Sequence, residues 1–288
     1  MAGAAAIVAR YARFSSFLCG GSLINDRYIL TSARCVHMFP PDMLAVSLGS
    51  PRNLTAAGHR SPHVPPLLSV QRVIVHEKYM RFFRWRRKHV FNDVALLRLT
   101  DPIKLEDPFV PICLPTSDSK DAEVSVAGWG YTRPSGNFAR LPYPAEAVVR
   151  QLDPGLCAQF YSRSLRYNEK STICASPASG VCFRDEGTPL IARRNGYTFQ
   201  TGLVSISRGF ADCGLRPKVP TIFEKVTSHL EWIKSKTGDA RWCWTPEQLH
   251  ARKEEENEIK EDFFNDFKNF QDAKDVELTH RKMRLKKS

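Results

Sequence analysis

Asn92-Asp-Val-Ala-Leu-Leu-Arg-Leu99 sets two polar, turn-forming residues directly before a dense apolar run. Runs of the same kind recur at Val73-Ile-Val75, Val124-Ser-Val-Ala127 and Leu203-Val-Ser-Ile206, bounded by Gly, Pro, Asn or Asp. Short alternating segments punctuated in this way read as an antiparallel β-barrel or sandwich. At 288 residues the chain is long enough for one large all-β domain or two ordinary ones. Its 42% hydrophobic and 25% charged content excludes a disordered or collagen-like chain. No apolar run approaches the roughly 20 residues that a membrane-spanning helix needs.

The eight cysteines are spaced neither as Cys-x-x-Cys nor beside clustered histidines, so no zinc site, other metal or cofactor is expected. An even set spread over this length reads as a disulfide framework, which implies an oxidising, extracellular compartment. The apolar start Met1 to Ala9 lacks a basic leader and meets Arg10 and Arg13 at once, only part of a secretory signal. Residues 1–16 are therefore expected to be a truncated or atypical N-terminus, and secretion is inferred from the cysteines alone.

Lys plus Arg is 42 against 30 Asp plus Glu, a formal charge of +12. Residues 251–288 hold ten of each sign, which leaves the whole excess on residues 1–250. The tail, taken as 245–288, sets Ile259, Phe263, Phe267 and Phe270 at helical spacing and reads as an amphipathic helix. Basic charge is densest in Arg81-Phe-Phe-Arg-Trp-Arg-Arg-Lys-His89, so Arg81, Arg84, Arg86, Arg87 and Lys88 form a candidate anion-binding rim, otherwise a solvated loop. No nucleic-acid module accompanies it, which leaves an anionic polysaccharide as the polyanion to consider. Asn53-Leu-Thr55 is an N-glycosylation acceptor.

Four ordered segments resemble the chymotrypsin-like (S1) serine proteases over residues 17 to about 235. They are Cys19-Gly-Gly-Ser-Leu-Ile24 with Tyr28-Ile-Leu-Thr-Ser-Ala-Arg-Cys35, the Asn92–Leu99 run, Gly128-Trp-Gly130, and Gly180-Val-Cys-Phe-Arg-Asp-Glu-Gly-Thr-Pro-Leu190. The resemblance implies two antiparallel six-stranded β-barrels split near residues 110–122, a domain over 17–244, and a C-terminal helix near 226–236. It also implies bridges Cys19–Cys35, Cys157–Cys174 and Cys182–Cys213. Cys113 matches a position that tethers an N-terminal segment in relatives; Cys243 is its candidate partner here, with an intermolecular or free thiol as the alternative.

The family's chemistry needs an imidazole to take a serine proton and an acid to orient that imidazole. Asp93 matches the acid. Arg34 stands at the histidine position and cannot act as a base, because guanidinium stays protonated. Glu186 stands at the serine position, and Arg184 replaces the glycine whose turn shapes the oxyanion hole. His37 is the nearest substitute base, but its side chain is expected to project away from Asp93, and His76 and His89 read as loop histidines. Gly180 at the pocket base offers no counter-ion for a basic substrate, and Ser205, Ile206 and Thr221 take pocket positions, with Ile206 and Thr221 replacing family residues. Ile7-Val-Ala-Arg10 lacks the glycines of the family's activating terminus and lies too near Cys19 to supply its first strand.

The chain is thus expected to be a non-catalytic serine protease homologue, a secreted binding protein or cofactor for a partner in a proteolytic cascade. The alternatives are an active S1 endopeptidase and a heparin-binding module. Arg34 is further expected to bridge Asp93 and Glu186 as one ion-pair cluster.

Overall fold

The computed structural model describes residues 3–11, 15–48, 67–84, 87–105, 110–118, 123–128, 145–161, 165–176, 185–206 and 220–242. The chain divides into two units, Met1–Cys243 and Trp244–Ser288. The charged tail expected over 245–288 lies outside the described residues.

Six of the first eight strands close into an antiparallel barrel. These are β1 (Ala4–Arg10), β2 (Ser15–Leu23), β3 (Tyr28–Thr31), β4 (Leu44–Leu48), β5 (Leu68–Val75) and, after a hairpin of β6 (Met80–Arg84) and β7 (Arg87–Phe91), β8 (Ala95–Leu99). Around the barrel they run β1-β2-β3-β8-β5-β4. A second barrel runs β10-β12-β15-β14-β13-β9, built from β9 (Glu123–Gly128), β10 (Ala145–Leu152), β12 (Thr172–Ala175), β13 (Pro189–Arg194), β14 (Tyr197–Ile206) and β15 (Thr221–Lys225). The short β11 (Leu165–Arg166) stands outside it. Closure satisfies the edge N–H and C=O groups that an open sheet would leave exposed. The chymotrypsin-like architecture expected from the resemblance is present.

The alternation in β8 explains the seam between the barrels. Ala95, Leu97 and Leu99 face the first barrel's core with Ile7, Leu23 and Val46. Val94 and Leu96 face the other way and join Ile112, Ala127, Ile191 and Leu203 in a cluster drawn from both barrels. A strand buried on both faces must be apolar at consecutive positions, and each fully buried leucine contributes about 1.5–3 kcal/mol. The second barrel fills with Val124, Val126, Leu190, Val204 and Phe223. The helix expected near 226–236 is a 3-10 turn, Val226–His229, followed by an α-helix, Leu230–Lys236, whose Ile233 enters the seam.

Two expectations are corrected. Ile7-Val-Ala-Arg10 does not lie too near Cys19 to supply the first strand: β1 begins at Ala4 and pairs with both β2 and β4. Ala5 and Ile7 fill the barrel while Ala4 and Ala6 pack with Phe17 on the other face. Small residues suit a strand covered on both sides, and Ile7 lies fully buried opposite Cys19 and Val46. The basic stretch is not an irregular loop either. β6 pairs with β7, placing Arg84 opposite Arg87, and β7 pairs in parallel with β11 through Lys88 and His89. Nothing beyond backbone placement is described for Arg81, Arg84, Arg87 and Lys88, and Arg86 lies outside the described residues.

Cys19–Cys35 and Cys157–Cys174 form as expected, with Cα separations of 6.2 and 5.8 Å. Cys182, Cys213 and Cys243 lie outside the described residues, as do Asn53, Arg184 and Gly180. Cys113 is buried, its carbonyl and amide bonded to Gln200 and Thr198.

Candidate functional site

Three short segments bring the site together. Arg34 sits in the one-turn helix Ala33–Val36, which follows β3 and is tied to β2 through Cys35. Asp93 follows Asn92, whose φ of +51° lies in the left-handed region that asparagine tolerates, so the chain turns sharply before β8. Glu186 precedes Gly187, whose φ is +81°. A Cβ at Gly187 would meet Thr31 Oγ1 and Gly20 O of the first barrel, so only glycine lets this turn approach β2 and β3.

Asp93 is fully buried. Its Oδ1 accepts from Ser32 Oγ at 2.7 Å and from the Arg34 backbone N–H at 2.8 Å. Its Oδ2 accepts from Ser205 Oγ at 2.7 Å. Burial pushes this carboxyl above its ordinary value, opposed by the Arg34 charge and by these hydrogen bonds.

The guanidinium does not bridge the two carboxylates, contrary to expectation. Arg34 Nη1 donates to the Ser205 carbonyl at 2.6 Å, and Nη2 lies 3.7 Å from Glu186 Oε1. The physical reason is competition. Two serine hydroxyls and a backbone amide already occupy the Asp93 oxygens, so the side chain reaches past them to β14. Glu186 is the more enclosed partner, its side chain 7% exposed against 24% for Arg34.

The remaining predicted residues are placed as follows. His37 turns back on its own helix, its Nδ1 3.2 Å from the Ala33 carbonyl and its ring edge-on to Tyr79. Ser205 and Thr221 are buried, and Ile206 packs against Val90, Cys157, Tyr161 and Ile222. A cavity of about 160 Å³ lies elsewhere, lined in part by Asp118, Gln151, Thr172 and Lys225 and touching none of Arg34, Asp93 and Glu186.

Two residues escaped the sequence reading. Glu224 Oε1 accepts the Asp93 backbone N–H at 3.1 Å, and its Oε2 faces His229 Nε2 at 3.1 Å. Both side chains are 3% exposed. The available signal was a carboxylate directly after the apolar pair Ile222-Phe223, a position where an unpaired charge would be costly. Asp93 is therefore held by the first barrel through Ser32 and Arg34 and by the second through Ser205 and Glu224.

Two six-stranded antiparallel barrels with a buried aspartate held between them define a protein of chymotrypsin-like serine protease architecture. The chain belongs to the trypsin family, whose model, Trypsin, matches residues 2–233. It is 30% identical over 243 residues to serine protease grass of Drosophila melanogaster, covering 78% of this chain and 62% of that protein. It is 31% identical over 231 residues to phenoloxidase-activating factor 3 of Holotrichia diomphalia, covering 76% and 64%. It is 32% identical over 232 residues to CLIP domain-containing serine protease B4 of Anopheles gambiae, covering 76% and 61%. The chain thus spans less than two thirds of the length of these curated relatives.

Proposed function

We propose that this chain is a non-catalytic serine protease homologue, secreted, that binds a protein of a proteolytic cascade and regulates it. The observation that carries the reading is Arg34. It stands on Asp93 through its backbone amide, and the side chain at the base position is a guanidinium donating to the Ser205 carbonyl. A guanidinium has no lone pair to accept a proton, and a carboxylate at residue 186 has none of the serine hydroxyl's acyl-transfer chemistry. The two disulfides suit an oxidising compartment. A relative named as a phenoloxidase-activating factor supports a place beside an activating protease.

Treatment of the purified chain with a fluorophosphonate probe and a panel of peptide substrates tests the reading. Neither labelling nor hydrolysis above background is expected. Covalent attachment within the barrels would instead establish an active endopeptidase. The regulatory half is tested by adding the chain to a zymogen and its activating protease, where a changed cleavage rate is expected.

A second reading, anionic polysaccharide binding, is favoured by the β6–β7 hairpin, which gathers Arg81, Arg84, Arg87 and Lys88 on two paired strands. Replacing Arg84, Arg86, Arg87 and Lys88 with Ala is expected to lower the salt that elutes the protein from heparin. Unchanged elution assigns the affinity to diffuse net charge.

A further inference from the structure

Behind Asp93 lies a second cluster of titratable groups that the cleft does not use. Glu224 holds the Asp93 N–H with one oxygen and faces His229 with the other. The His229 ring meets His76 edge-on, with centroids 5.4 Å apart, and His76 lies tilted on Trp232 at 4.9 Å. Three elements converge here: the turn after β5, strand β15, and, following helices α1 (Ala33–Val36) and α2 (Pro154–Tyr161), helix α3 (Leu230–Lys236) with its 3-10 entry. The backbone N–H of His76 donates to Val94 O at 3.2 Å, beside Asp93. Its Nδ1 accepts the Lys78 N–H at 3.1 Å. An Nδ1 that accepts carries no proton, so His76 is neutral in this arrangement, with its proton on Nε2.

We propose that the stacked His76–His229 pair is a proton-operated latch, which holds α3 against the Asp93 turn while His76 is neutral and loosens it when His76 is protonated. A second proton converts Nδ1 to a donor and sets it against the Lys78 N–H, which breaks that hydrogen bond. The charged groups around His76 oppose a new cation on balance. Lys78 shares its turn, Lys236 reaches it from α3, and His229 stacks on it. Glu77 alone among its charged neighbours favours the charge, and that carboxylate is already engaged by Lys236 Nζ at 2.6 Å and Trp232 Nε1 at 2.7 Å. Glu224 and Asp93 lie one layer further in, beyond His229. Burial first, and then the neighbouring His229, hold the imidazole below its ordinary 6.5.

The sign follows from proton uptake. Released from the stack, His76 regains its ordinary affinity, so opening of α3 takes up a proton and is favoured as pH falls below 6.5. One proton at that reference caps the increase in the open population at about 30-fold between pH 7.5 and 5.0. Loosening α3 also removes the support behind Glu224, so the latch links acidity to the geometry of the cleft.

Hydrogen exchange of the 230–236 amides in the full chain, referred to the intrinsic exchange rate at each pH, is the test. Protection is expected to fall from pH 7.5 to 5.0 in the wild type, by up to about 30-fold, and to fall by less in His76→Gln. Amides of β9 and β10 serve as internal controls and are expected to change little. A flat wild-type profile, or a His76→Gln profile that keeps the wild-type change, overturns the proposal. If His76→Gln does not fold, NMR titration of the His76 ring in the wild type decides. Titration below 6.5 supports the latch, and titration at or above it overturns the latch.

Discussion

Replacing Arg34 tests how tightly the degenerate site is held. At 3.7 Å the Arg34–Glu186 pair has a gross Coulomb attraction of about 4.5 kcal/mol at an effective dielectric constant of 20. Arg34 is a quarter exposed, and Glu186 loses hydration in its enclosed position, so most of that attraction is offset. A net coupling of about 1 kcal/mol remains. The bond from Nη1 to the Ser205 carbonyl is a charged donor on a buried acceptor and adds about 1.5–3 kcal/mol. Arg34→Met, which keeps the apolar stem, is therefore expected to destabilise by about 2–4 kcal/mol. Urea denaturation at constant m reads this as a lower midpoint. A double-mutant cycle with Glu186→Gln is expected to return about 1 kcal/mol. A coupling above about 3 kcal/mol would mean a close, dry ion pair and would refute the geometry. An Arg34→Met loss under about 0.5 kcal/mol would mean that the guanidinium is not held at all.

Arg34→His combined with Glu186→Ser is expected to leave peptide hydrolysis near background, because Arg184 still stands where the resemblance implies a glycine for the oxyanion turn; robust turnover would refute this. Glu224→Ala strands the Asp93 N–H and the His229 ring nitrogen in a buried site, and is expected to cost about 3–5 kcal/mol in the same denaturation assay, with a loss under about 1 kcal/mol contradicting it. The Tyr167 hydroxyl is buried without a hydrogen-bond partner among the described residues, and burial with Glu169 nearby pushes its phenol up to about 12. Tyr167→Phe is accordingly expected to leave stability unchanged or raise it by up to about 1 kcal/mol, and a clear decrease would reveal a partner for that hydroxyl.

Alternation and turn formers were enough to specify an antiparallel barrel or sandwich, and the family resemblance of four motifs implied two barrels with Arg34, Asp93 and Glu186 at one site. Alternation, turn formers and cysteine spacing are local properties, and β8 could be read from Asn92 to Leu99 alone. Even there the reading stopped short at β1. Ile7-Val-Ala-Arg10 looks too near Cys19 for a first strand until the pairing of Ala4–Arg10 with β2 on one edge and β4 on the other is seen. The partners of Asp93 were out of reach for the same reason. Ser205 Oγ reaches it from 112 residues away and the Glu224 carboxylate from 131, and only closure of both barrels brings those strands to one seam. Charge complementarity between Arg34, Asp93 and Glu186 was legible, but hydrogen-bond competition among neutral hydroxyls was not. Tertiary packing gave the Asp93 oxygens to Ser32 and Ser205, sent the Arg34 guanidinium to a backbone carbonyl, and placed Glu224 and His229 behind them, because a buried charged or polar atom is costly unless a well-aligned partner is within reach.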